Sequence, residues 1–146
     1  MSSARLTSAS IVVPALIQEV ASPDRGAISV FLGTVRDTND GREVGGIDYS
    51  TYDAMAVAEM ERIVTEAGER FPGVETALVH RAGALAVGEV SVAIACAHAH
   101  RQPALDATRY VIEELKRRVP IWKREHYVDG TSEWVDPTHG AAEVSR

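Results

Sequence analysis

The stretch from Gly26 to Asp37, "GAISVFLGTVRD", is a strongly apolar run bounded by a glycine and an aspartate. It predicts a buried strand that ends near Arg36. Behind it, "DTNDGREVGG" (37–46) carries the Asn, Asp and Gly of a mobile loop. "GIDYSTYD" then alternates Ile47, Tyr49 and Thr51, as a second strand would. The two strands are expected to pair antiparallel across the loop. That hairpin decides the fold class, because helices interleaved with antiparallel hairpins make an α+β protein.

Outward from this hairpin the chain alternates between the two periods. From Ala54 to about Phe71 it reads as a helix with Met55, Ala58, Ile63 and Ala67 on one face, stopped by Pro72-Gly73. Strands follow at Glu75–Arg81 and Val90–Ala97, joined by "AGALAVGE". A second long helix runs from about Pro103 to Arg118, with Leu105, Thr108, Ile112, Leu115 and Val119 as its core stripe. After Pro120, "IWKREHYV" and "SEWV" predict a hairpin turned at Asp129-Gly130. On the N-terminal side, Met1–Ser10 reads as a loose start and Ile11–Val13 as a short strand. Pro14 opens a short helix to about Val20, since its missing N–H costs little in a first turn. The expected architecture is one α+β domain over 1–146, with antiparallel sheets, packed helices and flexible ends at 1–10 and 137–146.

Composition narrows the function classes. With 146 residues the chain can bury a core without disulfide or metal staples. Its single cysteine, Cys96, excludes an internal disulfide framework and fits a reducing, cytoplasmic setting. Pro14 and Gln18 break the N-terminal "SIVVPALIQEV", so no signal peptide or membrane span is expected. A net charge of −6 and a pI near 5.3 speak against nucleic acid as the main partner.

Against that acidic background, "ELKRRVPIWKREHY" (114–127) packs five cations into Lys116–Arg124 and holds both lysines of a chain whose other thirteen Lys/Arg positions are arginine. Arg117 and Arg118 follow Glu113 and Glu114 by one turn, which explains them as surface ion pairs. Lys116 lacks an i,i+4 partner, and Lys123 lies in the next strand on the face of Glu125, with Trp122 and Arg124 opposite. A helix end and the strand returning from it can bring the two lysines together. Lysine, unlike arginine, can give up its proton when desolvated, so a proton-transfer site would keep it; two ordinary surface lysines are the bland alternative. "HAHR" (98–101) closes a strand and opens a helix. It points to an anion site at His100 and Arg101 beside a helix N-terminus, with Arg36 as a third contributor. His98 has a structural reading, no metal site is expected, and Cys96 reads as buried and inert.

These blocks together, "GAISVFLGTVRD", "HRAGALAVGEVSVAIA", "AHRQPALDATRYVIEELKRRVPIWKREHY" and "DGTSEWV", resemble the large, catalytic subunit of molybdopterin synthase, the MoaE family, over about Gly26–Val135. The resemblance implies an α/β-hammerhead type of α+β fold and a sulfurtransferase of molybdenum cofactor biosynthesis. In that family the C-terminal thiocarboxylate of a small ubiquitin-like subunit ending in Gly-Gly supplies sulfur to cyclic pyranopterin monophosphate (precursor Z). The product is the dithiolene of molybdopterin. It also implies a large-subunit homodimer within a heterotetramer, and no cofactor. Matched position by position, Lys116 and Lys123 become the catalytic lysines. Arg36, His100 and Arg101 line the substrate pocket with them, the strand-end backbone at Thr34 and Val35 lies beside them, and Arg124 and Glu125 continue the site. His98 stands where a small or polar residue is expected, and the loop 37–46 is a candidate lid.

Overall fold

The computed structural model describes residues 2–135. Its elements are β1 (Ser3–Thr7), α1 (Val13–Val20), β2 (Ala27–Thr34), β3 (Thr38–Asn39), β4 (Arg42–Thr51), α2 (Asp53–Arg70), β5 (Glu75–Arg81), β6 (Gly83–Ala86), β7 (Val90–His98), α3 (Arg101–Arg118), β8 (Ile121–Tyr127) and β9 (Ser132–Val135). They form two sheets, one ordered β1-β5-β7-β2 and the other β3-β4-β8-β9 with β6 also on β4. The α+β class expected from the sequence is the class observed. Among the described residues no helix is long and apolar enough to cross a membrane.

The opening hairpin is where the expectation fails. β2 does not pair with β4; its partner is β7, in register from Ala27↔His98 to Leu32↔Ala93, while β4 pairs with β8 and β6. The reason lies at Val35. Its N–H donates to Glu89 O at 3.0 Å and its carbonyl accepts from Gly88 N at 2.8 Å, so the chain just past β2 stays tied to the first sheet. The reversal comes later, at Asp40-Gly41, both with positive φ (50° and 77°). Such a two-residue Asp-Gly turn makes a tight hairpin, here between β3 and the start of β4 (Asn39↔Arg42). The 37–46 segment is therefore mostly strand, and it is clamped: the Arg42 guanidinium lies 3.5 Å from the Tyr127 ring centroid and donates to Thr131 Oγ1 at 2.6 Å.

Both faces of the first sheet are covered. α2 and α3 pack on one face through Met60, Ile63, Val111 and Leu115 against Leu78, Val92, Ile94 and Cys96. α1 packs on the other, placing Leu16 and Val20 on the alanines 77, 93, 95 and 97 of β5 and β7. Those small residues let the helix approach closely. On the other face, the buried lines of α2 and α3 overlap the expected stripes only in part, because small residues of the helices take inward places. On α3 the buried line is Ala104, Ala107, Thr108, Val111 and Leu115, while Leu105 is 57% exposed. On α2 it is Ala56, Met60, Ile63, Val64 and Ala67, with Met55 outside.

The N-terminus is not a loose start. β1 runs parallel to β5, Ser3↔Ala77 to Thr7↔Arg81, and Arg5 ties it to Glu19 of α1 at 2.7 Å. Residues 11 and 12 are not strand; Val13 begins α1, with Pro14 in its first turn as expected. "AGALAVGE" hides β6, which leaves the first sheet to pair with β4. The β8–β9 hairpin turns at Asp129-Gly130, where Gly130 has φ +92° and Asp129 accepts from the Thr131 amide and hydroxyl. The expected frayed tail at 137–146 lies outside the described residues.

Candidate active site at the seam of the two sheets

A cavity of about 150 Å³ opens where the two sheets meet. β2 supplies Phe31, Gly33 and Thr34, the crossing segment Arg36 and Thr38, β4 Ile47 and Tyr49, and β7 Ser91 and Val92. Lys116 reaches in from the last turn of α3, and Lys123 and Glu125 from β8. The floor is open because residue 33 is glycine: a Cβ there would meet Val92 Cγ1 at 2.6 Å. Ser91 Oγ donates to the Gly33 carbonyl at 3.2 Å and fixes the bulged end of β2.

β8 sorts its side chains by parity. Lys123, Glu125 and Tyr127 turn toward the cavity side, with Glu125 3% and Tyr127 6% exposed. Arg124 turns away, donating to Ser132 Oγ at 3.0 Å with its guanidinium 5.7 Å from the Trp134 ring centroid. Of the residues matched through the resemblance, the fold brings together Thr34, Arg36, Lys116, Lys123 and Glu125. Arg124 lies on the opposite face, and the Val35 side chain is buried in a separate apolar cluster with Val44, Ile47, Leu85 and Tyr127. His100 caps α3 and Arg101 begins it, both exposed. At 1.5 Å per residue His100 is roughly 24 Å along the helix from Lys116, so it does not reach this cavity within one chain.

The cavity is electropositive. Among the described residues no carboxylate forms an ion pair with Arg36, Lys116 or Lys123. Lys116 keeps surface accessible to solvent, yet it sits in a concave wall. Burial lowers its pKa most, and the charges of Lys123 and Arg36 lower it further. Behind it, His80 is enclosed on β5, its ring 5.2 Å from that of Tyr49 in a T-shaped contact. Burial pushes the His80 pKa down to about 4, so the imidazole is neutral. Burial also raises the Tyr49 phenol.

Other sequence readings resolve as follows. Arg117 pairs with Glu114 rather than Glu113, which instead takes Arg109. Arg118 joins Glu114 as expected but also bridges to Glu59 and Glu66 of α2. His98 has the structural role: its Nε2 faces the Pro72 carbonyl at 3.1 Å and its Nδ1 accepts from the His100 amide at 3.0 Å. Cys96 is fully enclosed beside Thr76, and burial raises its thiol pKa. The sequence reading missed Asn39, Tyr49, Ser91 and Tyr127 as parts of the site. Tyr49 carried a signal in the inward parity of Ile47 and Thr51, and Tyr127 in the parity it shares with Lys123 and Glu125.

Three comparisons bear on this geometry. The family model described as MoaE protein matches residues 6–118. The molybdopterin synthase catalytic subunit of Pyrococcus abyssi is 44% identical over 117 residues, 80% of this chain and 78% of its own. That of Pseudomonas aeruginosa is 45% identical over 111 residues, 76% and 73% of the two chains. The crystal structure of molybdopterin synthase from Staphylococcus aureus superposes with a TM-score of 0.86 at 34% identity, covering 90% of this chain and 95% of that one.

Proposed function

The chain belongs to the MoaE family, and on that footing we propose that it catalyses sulfur transfer to cyclic pyranopterin monophosphate, building the dithiolene of molybdopterin. The sulfur comes from the C-terminal thiocarboxylate of a small ubiquitin-like partner ending in Gly-Gly. That relatives carry the name catalytic subunit supports an enzyme with a second kind of subunit. The assembly is a cytoplasmic heterotetramer of two large and two small chains, with no cofactor of its own.

One observation carries this reading: both lysines of the chain meet Arg36 in a cavity that offers them no ion-pair partner. Both reactants are anions, a cyclic phosphate and a thiocarboxylate, and unpaired cations on fixed elements hold them together, where positioning supplies much of the rate. The thiocarboxylate sulfur forms a bond to an oxygen-bearing carbon of the pterin side chain as the C–O bond at that carbon breaks and its oxygen leaves, as water or with the phosphate. A second thiocarboxylate repeats the exchange at the neighbouring carbon. Water then cleaves each acyl–sulfur bond, returning the tail as a carboxylate. Lys123 neutralises and orients the thiocarboxylate or the oxyanion that develops at its carbonyl. Lys116, whose ammonium is destabilised by burial and by its neighbours, assists proton transfer or the leaving group.

The cavity is smaller than the 300–1,000 Å³ of sites that enclose a whole ligand, so it takes one end of the substrate. A second copy of the chain supplies the rest. β2 is an edge strand, and Ile28, Val30 and Leu32 lie 38–41% exposed on its outer face. A two-fold axis across the middle of β2 covers that stripe and exchanges its ends. The Ala27 end lies beside His98, and the Thr34 end borders the cavity. His100 and Arg101 of one copy then approach the cavity of the other and hold the phosphate.

The test is a coupled assay with thiocarboxylated partner and precursor Z. Conversion of the partner's thiocarboxylate to carboxylate, with sulfur recovered in the pterin, is the expected result. Tight binding without loss of sulfur would make the chain a tail-capturing module instead.

A further inference from the structure

The cavity holds one group that an all-anion substrate does not explain. Glu125 is 3% exposed and lines the same space as three cations. One oxygen, Oε1, is occupied: it accepts from Asn39 Nδ2 at 2.7 Å and stands 3.2 Å from the Tyr127 hydroxyl. That hydroxyl is shared with Glu133 Oε2 at 3.1 Å and has a single proton to give. The Asn39 amide is thus the donor that Glu125 does not share. Asn39 is itself fixed by the β3–β4 hairpin, whose Arg42 lies on the Tyr127 ring.

The other oxygen, Oε2, has no hydrogen-bond partner among the described residues, nor is it sealed in, since the enclosed unpartnered side-chain nitrogen or oxygen there is Arg81 Nε. Glu125 lines the cavity, and from there a donor can reach this oxygen. A carboxylate oxygen with free lone pairs in so enclosed a place calls for an N–H donor, because leaving it unsatisfied is unfavourable. Lys116 and Lys123 are not within ion-pair distance of it. The donor must come with the ligand.

We propose that Glu125, held by Asn39, is the specificity-determining acceptor for the amide and amine N–H edge of the substrate's pterin ring, and that Asn39 is its positioning residue. The proposal rests on the pterin substrate inferred above, and adds which end of that substrate enters the cavity. The ring goes in edge first against Glu125 Oε2, and the phosphate end stays outside. A pterin presents a ring N–H beside a 2-amino group. A lumazine, which carries an oxygen in place of that amine, turns an acceptor toward the carboxylate.

The experiment measures equilibrium binding of neopterin monophosphate and of its 2-oxo lumazine counterpart to the full chain, by titration calorimetry. The wild type should prefer the pterin by about tenfold or more, the scale set by one hydrogen bond to a charged group. Glu125→Gln keeps the shape but offers an amide, and should bind both compounds within about twofold of each other. Asn39→Ala lets the carboxylate turn and should cut the preference to about threefold, with a native circular-dichroism spectrum and cooperative unfolding as the sign that the fold is intact. A wild type that shows no preference, or binds neither compound, overturns the proposal. So does a Glu125→Gln variant that keeps the tenfold preference. Sulfur loss from the thiocarboxylated partner is scored separately. A wild type that transfers sulfur but ignores the 2-amino group refutes only this inference; one that selects the pterin and never transfers sulfur refutes the sulfur-transfer reading.

Discussion

Lys116 and Lys123 differ in kind from the arginines around them, and the difference can be measured. Lys116→Arg keeps a cation in the cavity but removes the group whose proton burial and the neighbouring charges make easier to lose. Single-turnover sulfur transfer should slow by about 100-fold or more, the usual scale of a positioned proton-transfer group. Because the folded-state pKa of Lys116 is lowered, its neutral form appears as pH rises through that lowered value, below the ordinary 10.5. A pH titration of lysine labelled with ¹³C at Cε reads this directly, and Lys123→Met should move the Lys116 midpoint upward by removing a neighbouring charge. His80 has a signature of its own. Its pKa is about 4 in the fold against an ordinary 6.5, so between those values the unfolded chain binds more protons than the folded one. Stability is therefore complete above pH 6.5 and lost as pH falls toward 4, by about 3 kcal/mol at most. Urea midpoints between pH 7 and 5.5, before most carboxylates titrate, should show the first part of that loss, about 1 kcal/mol, in the wild type and not in His80→Gln. Of the site residues, the lysines were legible in the sequence because their partners were missing at helical spacing. Asn39 was not, because it meets Glu125 from another strand 86 residues away, where spacing along the chain carries no information; Tyr127, two residues from Glu125 on β8, shared its parity and was overlooked.

The helices and hairpins divide between what local chemistry dictates and what the sheet imposes. The Asp129-Gly130 turn and Pro14 in a first turn behave as their residue types require. The long apolar run of β2 was read as buried, yet it forms an edge strand whose outer face is half-exposed. Apolarity announced a contact but did not say whether that contact is made within the chain or with another. The same ambiguity sent Asp40-Gly41 into a loop when it closes a hairpin. Between helices, Arg118 is the link: it donates to Glu59 at 2.6 Å and to both oxygens of Glu66, and with Tyr110 it holds the Glu66 pKa at about 2. Arg118→Met leaves three glutamates facing one another and should lower the unfolding free energy by about 1–3 kcal/mol in a urea titration. Arg62→Met, which removes an exposed i,i+3 pair, should change it by no more than about 0.5 kcal/mol.

At the scale of the molecule, the dimer proposed above would split the site between two chains. One end of each chain carries the lysine cavity, and the other carries His100 and Arg101. Lys116→Ala and Arg101→Ala chains, each inactive alone, should regain activity when mixed, since a mixed dimer would contain one site with neither defect. Chains that each hold a complete site would regain nothing. Val30→Asp on the bare strand should yield monomers in sedimentation velocity and abolish the rescue. Spacing along the chain does not bring the two ends together, because a two-fold axis of the proposed kind leaves no trace in sequence order; only the family resemblance put them in one pocket. The enclosure of Cys96 has a practical consequence. It is the single thiol of the chain and lies on β7 beneath α2 and α3, so a thiol reagent can reach it only when the helices and the sheet part. Its labelling rate in native buffer is thus a stopwatch for global opening, and added substrate or partner that holds the sheet together should slow it.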